Sequence, residues 1–403
     1  MINIDIQQSL LSSFNNLVAA VDKTKAMGAT FDLMLTPVAG VDGAKDSLVM
    51  EISRSNCYGS VVITDGIKVT SGSGESVLIS SKSFQSLPKN PKDDEPLNFE
   101  VTDKVYVKYP NSPGFTDLKF DLEYSESPAS FLRRTHVETS VGMDQNALPL
   151  FTRLVDQASK YTEEKRLDDA MSVVNVDLNE AGVVRVEATT GTEGFFAELQ
   201  LVGCSAKEAV SCMHHPAIWS AGLTLSQGQV LGFGFDKQNI TFVAGNCALT
   251  HSQISFADFP AIGNMIQEWV KEVKHANFSA TISPALLKQR LDILTPMAAG
   301  NKTAEPSFIF APKTPKTLDK ALVKLQGFTG SGQIVIDDPA VMDINWTSDK
   351  AKVRIPARLA SKVMDTCSVF GLTFFFDIEG VNSVFFSDQD SKVFILVGQE
   401  ETE

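Results

Sequence analysis

The run PLFTRLVDQASKY at Pro149 to Tyr161, followed by SVVNVDL (Ser172 to Leu178), VVRVEAT (Val183 to Thr189) and FFAELQLV (Phe195 to Val202), decides the fold. In the first segment Leu150, Leu154, Val155 and Ala158 recur at helical spacing, which places them on one face of an amphipathic helix. The next three segments are rich in β-branched and aromatic residues, which suit a pleated, half-buried surface, so they read as strands. A helix followed by several strands in one continuous block is the pattern of an α+β unit.

Working outward, the same plan occurs before and after this block. The first copy opens with a helix from Gln7 to Val21, with Leu10, Leu11, Phe14, Leu17, Val18 and Val21 on one face. Strands follow at Phe31 to Val38, Ser47 to Ser53, Ser60 to Thr64 and Ser76 to Ile79, then a short helix at Ser81 to Leu87 closed by Pro88. Strands resume at Leu97 to Val101, Lys104 to Lys108 and Leu118 to Tyr124. The central copy continues through a helix between Ala206 and Ala221, which Pro216 must start or kink, to strands at Gln229 to Phe235, Ile240 to Val243 and Ala248 to Ile254. The third has a helix from Pro284 to about Leu294 and strands at Ser307 to Ala311, Leu322 to Gln326, Gln333 to Ile336 and Val341 to Trp346. It closes with a helix at Ala357 to Thr366 and strands at Leu372 to Ile378, Val381 to Ser387 and Lys392 to Val397. Repetition at about 130 residues predicts three α+β domains of one design, 1–127, 128–266 and 267–403, linked near Ser125 to Pro128 and between Asn264 and His275.

Composition agrees with this size. A chain of 403 residues, 43% hydrophobic and 21% charged, has globular composition and room for two to four domains. The N-terminus carries no basic residue ahead of an apolar stretch, and no apolar run approaches the roughly 20 residues of a membrane helix, so no signal or membrane contact is expected. The five cysteines (Cys57, Cys204, Cys212, Cys247, Cys367) are scattered without C-x-x-C spacing, which argues against disulfides and zinc and for a reducing cytoplasm. His214 and His215 are neighbours in sequence and cannot face one ligand from a helix.

Several motifs carry a resemblance. The run Ala188-Thr189-Thr190-Gly191-Thr192-Glu193-Gly194 resembles the A-T-D-G-H-R-L turn of bacterial-type β sliding clamps, phage-encoded versions included. Phe259-Pro260-Ala261-Ile262 is similar to that family's F-P-D-Y segment, and Leu286-Leu287-Lys288-Gln289 to the start of its third-domain helix. The apolar ending Phe394-Ile395-Leu396-Val397 also matches in position. The resemblance implies three clamp domains, each with two helices on antiparallel sheets, assembling as a head-to-tail homodimer into a ring around double-stranded DNA. It implies a DNA polymerase and a clamp loader as partners, docking by short peptides in a cleft between the second and third domains. That cleft would be formed by Thr189, Gly191, Thr192, Glu193, Gly194, Pro260, Asn264, Met265, Val381, Phe394, Ile395, Leu396, Val397 and Gly398. The ring seam would fall on Phe120 and Leu122 against Pro296 and Met297. Two departures stand out: Thr192-Glu193 replaces the family's His-Arg, and Val397-Gly398-Gln399-Glu400 replaces its Met-Pro-Met-Arg-Leu ending. Glu193 would turn preference toward less acidic or basic peptides.

A net charge of −14 argues against DNA until the charges are placed on the elements. The six candidate helix segments 7–25, 81–92, 145–166, 205–221, 284–298 and 354–366 together carry +8, leaving −22 elsewhere. Lys82, Lys89, Arg153, Lys160, Lys288, Arg290, Arg358 and Lys362 are the candidate DNA-facing residues, with simple solvated helix faces the competing reading. No chemistry is legible. Gly72-Ser73-Gly74 and Gly327 to Gly332 lack the Gly-Lys-Ser/Thr of a phosphate loop and read as hairpin turns, Asp93-Asp94-Glu95 reads as a solvated loop, and Asn301 to Lys320 as an exposed one. No G-x-S-x-G or H-E-x-x-H occurs, so neither an enzyme nor a cofactor is expected. A viral structural or interaction protein of repeated β-rich domains is the alternative.

Overall fold

The computed structural model describes residues 1–7, 11–24, 32–54, 56–80, 96–102, 104–109, 118–122, 124–125, 131–163, 170–236, 238–252, 259–260, 262–271, 276, 278–298, 306–313, 320–327, 330–347, 352–377, 383–390 and 392–398. Its first block runs β1 (Ile2–Gln7), α1 (Leu11–Asp22), β2 (Asp32–Val38), β3 (Ser47–Ser53), β4 (Cys57–Ile63), β5 (Ile67–Ser71), β6 (Val77–Ser80), β7 (Pro96–Val101), β8 (Val105–Tyr109), β9 (Leu118–Leu122) and β10 (Tyr124–Ser125). The next is β11 (Val141–Met143), α2 (Leu148–Ser159), β12 (Val174–Leu178), β13 (Val183–Thr189), β14 (Glu193–Gln200), β15 (Cys204–Ala206), β16 (Val210–His214), α3 (Pro216–Ser226), β17 (Leu231–Phe235), β18 (Asn239–Ala244) and β19 (Cys247–Ser252). After α4 (Ile262–Lys271) come β20 (Phe278–Ile282), α5 (Pro284–Asp292), β21 (Ser307–Pro312), β22 (Ala321–Gly327), β23 (Gly330–Ile336), β24 (Met342–Trp346) and β25 (Val353–Pro356). The chain ends on α6 (Ala357–Phe370), β26 (Phe374–Asp377), β27 (Ser383–Ser387) and β28 (Val393–Gly398).

Local sequence explains the helices. In α2 the apolar spacing buries Leu148, Phe151, Leu154, Val155 and Ala158, each Leu or Phe adding about 1.5–3 kcal/mol of burial. Proline begins α3 and α5, where its missing N–H costs nothing. Gly371, at φ 65°, ends α6.

Among the described residues all strand pairs are antiparallel and fall into four sheets. The strand orders are β5-β1-β7-β8-β9, β10-β6-β2-β3-β4-β19-β18-β17-β11-β15, β16-β12-β13-β14-β28-β27-β26-β20-β24 and β23-β22-β21-β25. The order β5-β1-β7-β8-β9 recurs as β15-β11-β17-β18-β19 and as β24-β20-β26-β27-β28, and β6-β2-β3-β4 recurs as β16-β12-β13-β14 and β25-β21-β22-β23. Two junctions carry a sheet from one block into the next, β4 beside β19 and β14 beside β28. The strands at the corresponding places in the outer blocks, β9 and β23, are sheet edges among the described residues. One contiguous apolar core fills the space between sheets and helices, with Trp219, Phe151, Phe233 and Phe242 packed edge to face or stacked at its middle.

Several sequence expectations need correction. The stretch read as a helix from Ala206 is strand β15 and strand β16, and only from Pro216 does a helix form. The link between Asn264 and His275 contains most of α4, whose apolar side rests on β13 and β14. Strands β1, β5, β11, β20 and β25 were not read from the sequence, although Ile2, Ile4 and Ile6 alternate and are buried. Gly72 to Gly74 joins two different sheets and closes no hairpin, whereas Gly327 pairs with Gly330 in the β22–β23 hairpin. Part of the expected loop Asn301 to Lys320 is β21. His214 ends β16 and His215 caps α3, so the pair is not helical. The short helix at Ser81 to Leu87, the cluster Asp93 to Glu95 and the link after Ser125 lie outside the described residues.

Candidate partner cleft and helix surface

The two junctions superpose in register. Ser53 pairs with Tyr58 and Cys57 with His251 at the first, while Thr189 pairs with Gly194 and Glu193 with Val397 at the second. Each turn hands a backbone hydrogen bond across its junction: the Ser252 N–H donates to the Asn56 carbonyl (2.8 Å), and the Gly398 N–H to the Thr192 carbonyl (2.6 Å). In the second turn Gly191 takes φ 85°, which favours glycine, and its N–H donates to Thr189 Oγ1 (2.9 Å).

Strand alternation then sorts the candidate cleft residues. Ile395 and Val397 point into the main core with Phe195. Phe196, Phe394, Phe385 and Phe376 form a separate cluster on the opposite face, with Ile262 and Ile266 of α4 over it and Phe259 and Leu396 packed against it. Gly263 is needed here: a Cβ at that position would lie 2.3 Å from the Phe196 ring and 2.4 Å from Glu187 Oε1. Around this cluster Pro260, Asn264 and Met265 are exposed, as are Gly191 and Thr192, and Leu396 and Gly398 are half-buried. The turn, the α4 segment and the end of β28 are thus brought to one face of one sheet. Val381 lies outside the described residues.

Glu193 is the exception. Its parity is that of Phe195, so its side chain is only 5% exposed and turns inward to an ion pair with Lys362 Nζ on α6. The same ammonium donates to the Lys160 carbonyl (3.1 Å) and stands 4.4 Å from the centre of the Tyr161 ring. Burial is the largest influence on Lys362 and holds its pKa below the usual lysine value, against the pull of Glu193. Two candidate roles change as a result. Lys362 is spent on Glu193 instead of facing outward, and Glu193 offers the cleft no free charge.

The other basic candidates divide similarly. Lys288 donates to Asp365 (2.6 Å), while Arg153, Lys160, Arg290 and Arg358 are exposed. The helices α1, α2, α3, α5 and α6 carry five basic and four acidic residues, so the basic excess read over wider segments rests on residues flanking these helices and on segment 81–92, which lies outside the described residues. Lys82 and Lys89 lie outside the described residues. For the seam, Phe120 and Leu122 sit on edge strand β9, and Pro296 and Met297 on a 3-10 turn, Thr295–Ala298, which follows α5 because the proline cannot continue it.

The first junction carries a feature that sequence reading missed. Residues Phe131 to Val137 run extended across its outer face as a strap. Phe131 packs on Met34, Tyr58 and Leu78, and Ser53 Oγ donates to the Leu132 carbonyl (2.7 Å). Arg133 grips Glu51 with two hydrogen bonds (2.9 and 2.8 Å). His136 bonds Ser60 and Thr250 (2.8 and 2.7 Å) and stacks on Tyr58. Inside the second block, His214 and His251 are buried with no hydrogen-bond partner among the described residues, and burial pushes both imidazoles down to about 3. Among the described residues no cluster of three or more metal-ligating side chains occurs, and no helix is long and apolar enough to cross a membrane.

No family model and no curated protein matches the sequence. Solved structures do. The chain is similar to a putative DNA polymerase III beta subunit from Eubacterium rectale over 100% of both chains, at 12% identity and a TM-score of 0.75. It is similar to the Pseudomonas aeruginosa DNA polymerase III subunit beta over 99% of this chain and 100% of the other, at 13% identity and a TM-score of 0.74. The Helicobacter pylori beta clamp bound to a DNA ligase peptide matches over 99% and 100%, at 14% identity and a TM-score of 0.68. With sheet order, junctions and length all accounted for, the chain has the fold of the bacterial DNA polymerase III beta subunit from end to end.

Proposed function

We propose that the protein is a DNA sliding clamp, which encircles duplex DNA and tethers a DNA polymerase without performing chemistry. The observation that carries this reading is the recurrent strand order. Two junctions, β4 to β19 and β14 to β28, join successive blocks, and β9 and β23 are left as edges at the corresponding places. An unpaired edge is a template for another strand. The same junction made between β23 of one copy and β9 of a second, twice over, gives a closed head-to-tail dimer of six like domains. The domains are 1–127, 128–266 and 267–403, and β23 joins Phe120, Leu122, Pro296 and Met297 in the seam. A closed ring holds DNA by topology, which accords with a weak basic bias on the helices and an acidic remainder. Arg153, Lys160, Arg290 and Arg358 then make the sequence-independent backbone contacts, and a clamp loader opens the ring.

Partner peptides dock at the second junction, with Met265 and Leu396 as adaptable apolar surface beside the buried Phe394, and Thr192 and Asn264 as polar rim. The test is retention on DNA. Protein loaded on a nicked circle should stay bound through gel filtration in high salt and be lost when the circle is linearised. Equal loss from both forms, or a monomer by light scattering at micromolar concentration, overturns the reading.

A further inference from the structure

Register equivalence between the two junctions puts Cys57 of β4 and Glu193 of β14 at the same place: Cys57 pairs with His251 as Glu193 pairs with Val397. Both side chains are buried. The first junction therefore closes over a neutral thiol, and the second over a carboxylate that draws in Lys362 from α6 of the next block. A junction of this design needs no ion pair. Nor does a buried pair add much stability over apolar residues of like volume, because desolvating both charges offsets their attraction. What the pair adds at the second junction is a tie between elements.

At one end of the tie is the turn of the cleft. The Glu193 carbonyl accepts the Thr190 N–H (3.0 Å) and the Thr189 hydroxyl (2.9 Å), so the residue that closes the turn by its backbone also anchors it to α6 by its side chain. At the other end is the helix surface. The Lys362 ammonium donates to the Lys160 carbonyl at the end of α2 and faces the Tyr161 ring, so each of its three N–H groups has a partner to point to. The Tyr161 hydroxyl donates to Thr366 Oγ1 on α6 (3.3 Å), and Thr366 Oγ1 lies 3.0 Å from Gln157 Oε1 on α2. Two like charges bear on the ammonium as well. Arg358 and Lys160, both exposed, oppose the charged form of Lys362, though less than burial does.

We propose that Lys362 is a positioning residue for the partner cleft, holding the turn Thr189–Gly194 in the shape that docks a peptide, and that DNA phosphate beside Lys160 and Arg358 tightens this hold. The inference rests on the clamp reading and deepens it, since occupancy of the cleft then depends on DNA in the ring. The physical link is short. Phosphate neutralises the two neighbouring cations, which removes the repulsion that opposes the Lys362 charge and strengthens its attraction to Glu193. A turn already fixed in shape costs less to order when a peptide docks. Coupling between two sites is reciprocal, so a docked peptide favours DNA by the same factor.

The probe is a labelled peptide carrying a glutamine and a leucine-phenylalanine pair, titrated by fluorescence anisotropy against the full-length protein. The comparison is Lys362→Met with Glu193→Gln, in which both buried charges are removed together so that neither is left unpaired. At pH 7.5 the double variant should bind about fivefold more weakly. Raising the pH to 10 discharges part of Lys362, whose pKa lies below the usual lysine value, while burial keeps the Tyr161 hydroxyl protonated. Parent affinity should then fall toward that of the variant, whose own affinity changes less. A short DNA duplex added at low ionic strength should tighten peptide binding by the parent about fivefold and leave the variant unchanged. Equal affinity of parent and variant at pH 7.5, one pH profile for both, or a duplex effect that is absent or shared by both overturns the inference. A parent that binds no peptide overturns this inference and the cleft assignment together, whereas retention on circular DNA tests the clamp reading alone.

Discussion

Lowering the pH from 8 to 5 shifts the folding balance through three buried groups of the central block, in opposite senses. His214 and His251 are held neutral in the folded protein, with pKa values pushed down to about 3, while an unfolded imidazole titrates near 6.5. The unfolded chain therefore binds protons that the folded one refuses, and stability is lost as pH falls below about 6.5. At pH 5, 1.5 units below the unfolded value, the cost is about 2 kcal/mol per histidine and about 4 for both. Glu187 acts the other way. Its folded pKa of about 7 lies above the unfolded value of 4.5, so its contribution is fully present below about 4.5 and lost as pH rises through 7. Between pH 8 and 5 it returns about 2 to 3 kcal/mol. The assay is denaturant unfolding at both pH values, followed by tryptophan fluorescence, with Trp219 lying edge-on to His214 at 5.8 Å. Relative to the parent, His214→Phe with His251→Leu should remove about 4 kcal/mol of acid destabilisation, and Glu187→Gln should steepen the acid loss by about 2 to 3. If the histidine variant keeps the parent's pH dependence, the two rings are not buried neutral and the reasoning fails.

Lys362→Met leaves Glu193 buried without its cation and should cost about 3–5 kcal/mol, largely recovered by adding Glu193→Gln; thermal unfolding of the two variants checks this. Gly263→Ala drives a methyl into Phe196 and Glu187 and should destabilise the second junction by about 1–3 kcal/mol, visible as faster hydrogen exchange in β13 and β14. Changing Arg153, Lys160, Arg290 and Arg358 together to Glu should reduce loading and processivity in a reconstituted replication assay with unchanged far-ultraviolet circular dichroism, since exposed substitutions cost little. Met265→Ala with Leu396→Ala should weaken a peptide bearing glutamine and a leucine-phenylalanine pair by about 1–3 kcal/mol, measured by calorimetry; equal affinity for parent and variant would remove the cleft assignment.

Periodicity by itself determined the mixed α+β class and most strand positions: β3 and β13 fall on the residues that alternation marks. These signals are local, since an apolar face is written every two or every three to four residues. Elements whose signal is short or shared were lost. The two histidines and the small residues before Pro216 look helical in a window that holds two short strands, whereas α4, with Ile262, Ile266, Trp269 and Val270 at helical spacing, was legible and was taken for a link. The cleft was legible as a set of segments, Thr189 to Gly194, Phe259 to Met265 and Phe394 to Gly398, but not as a set of side chains. The parity that turns Glu193 inward with Phe195 was present in the sequence, whereas its partner, Lys362, is 169 residues away and could be found only in three dimensions. The strap belongs to the same class of fact. Alternation says which face of a strand a residue occupies, but what covers that face is set by pairings between distant strands, and only the tertiary structure decides them.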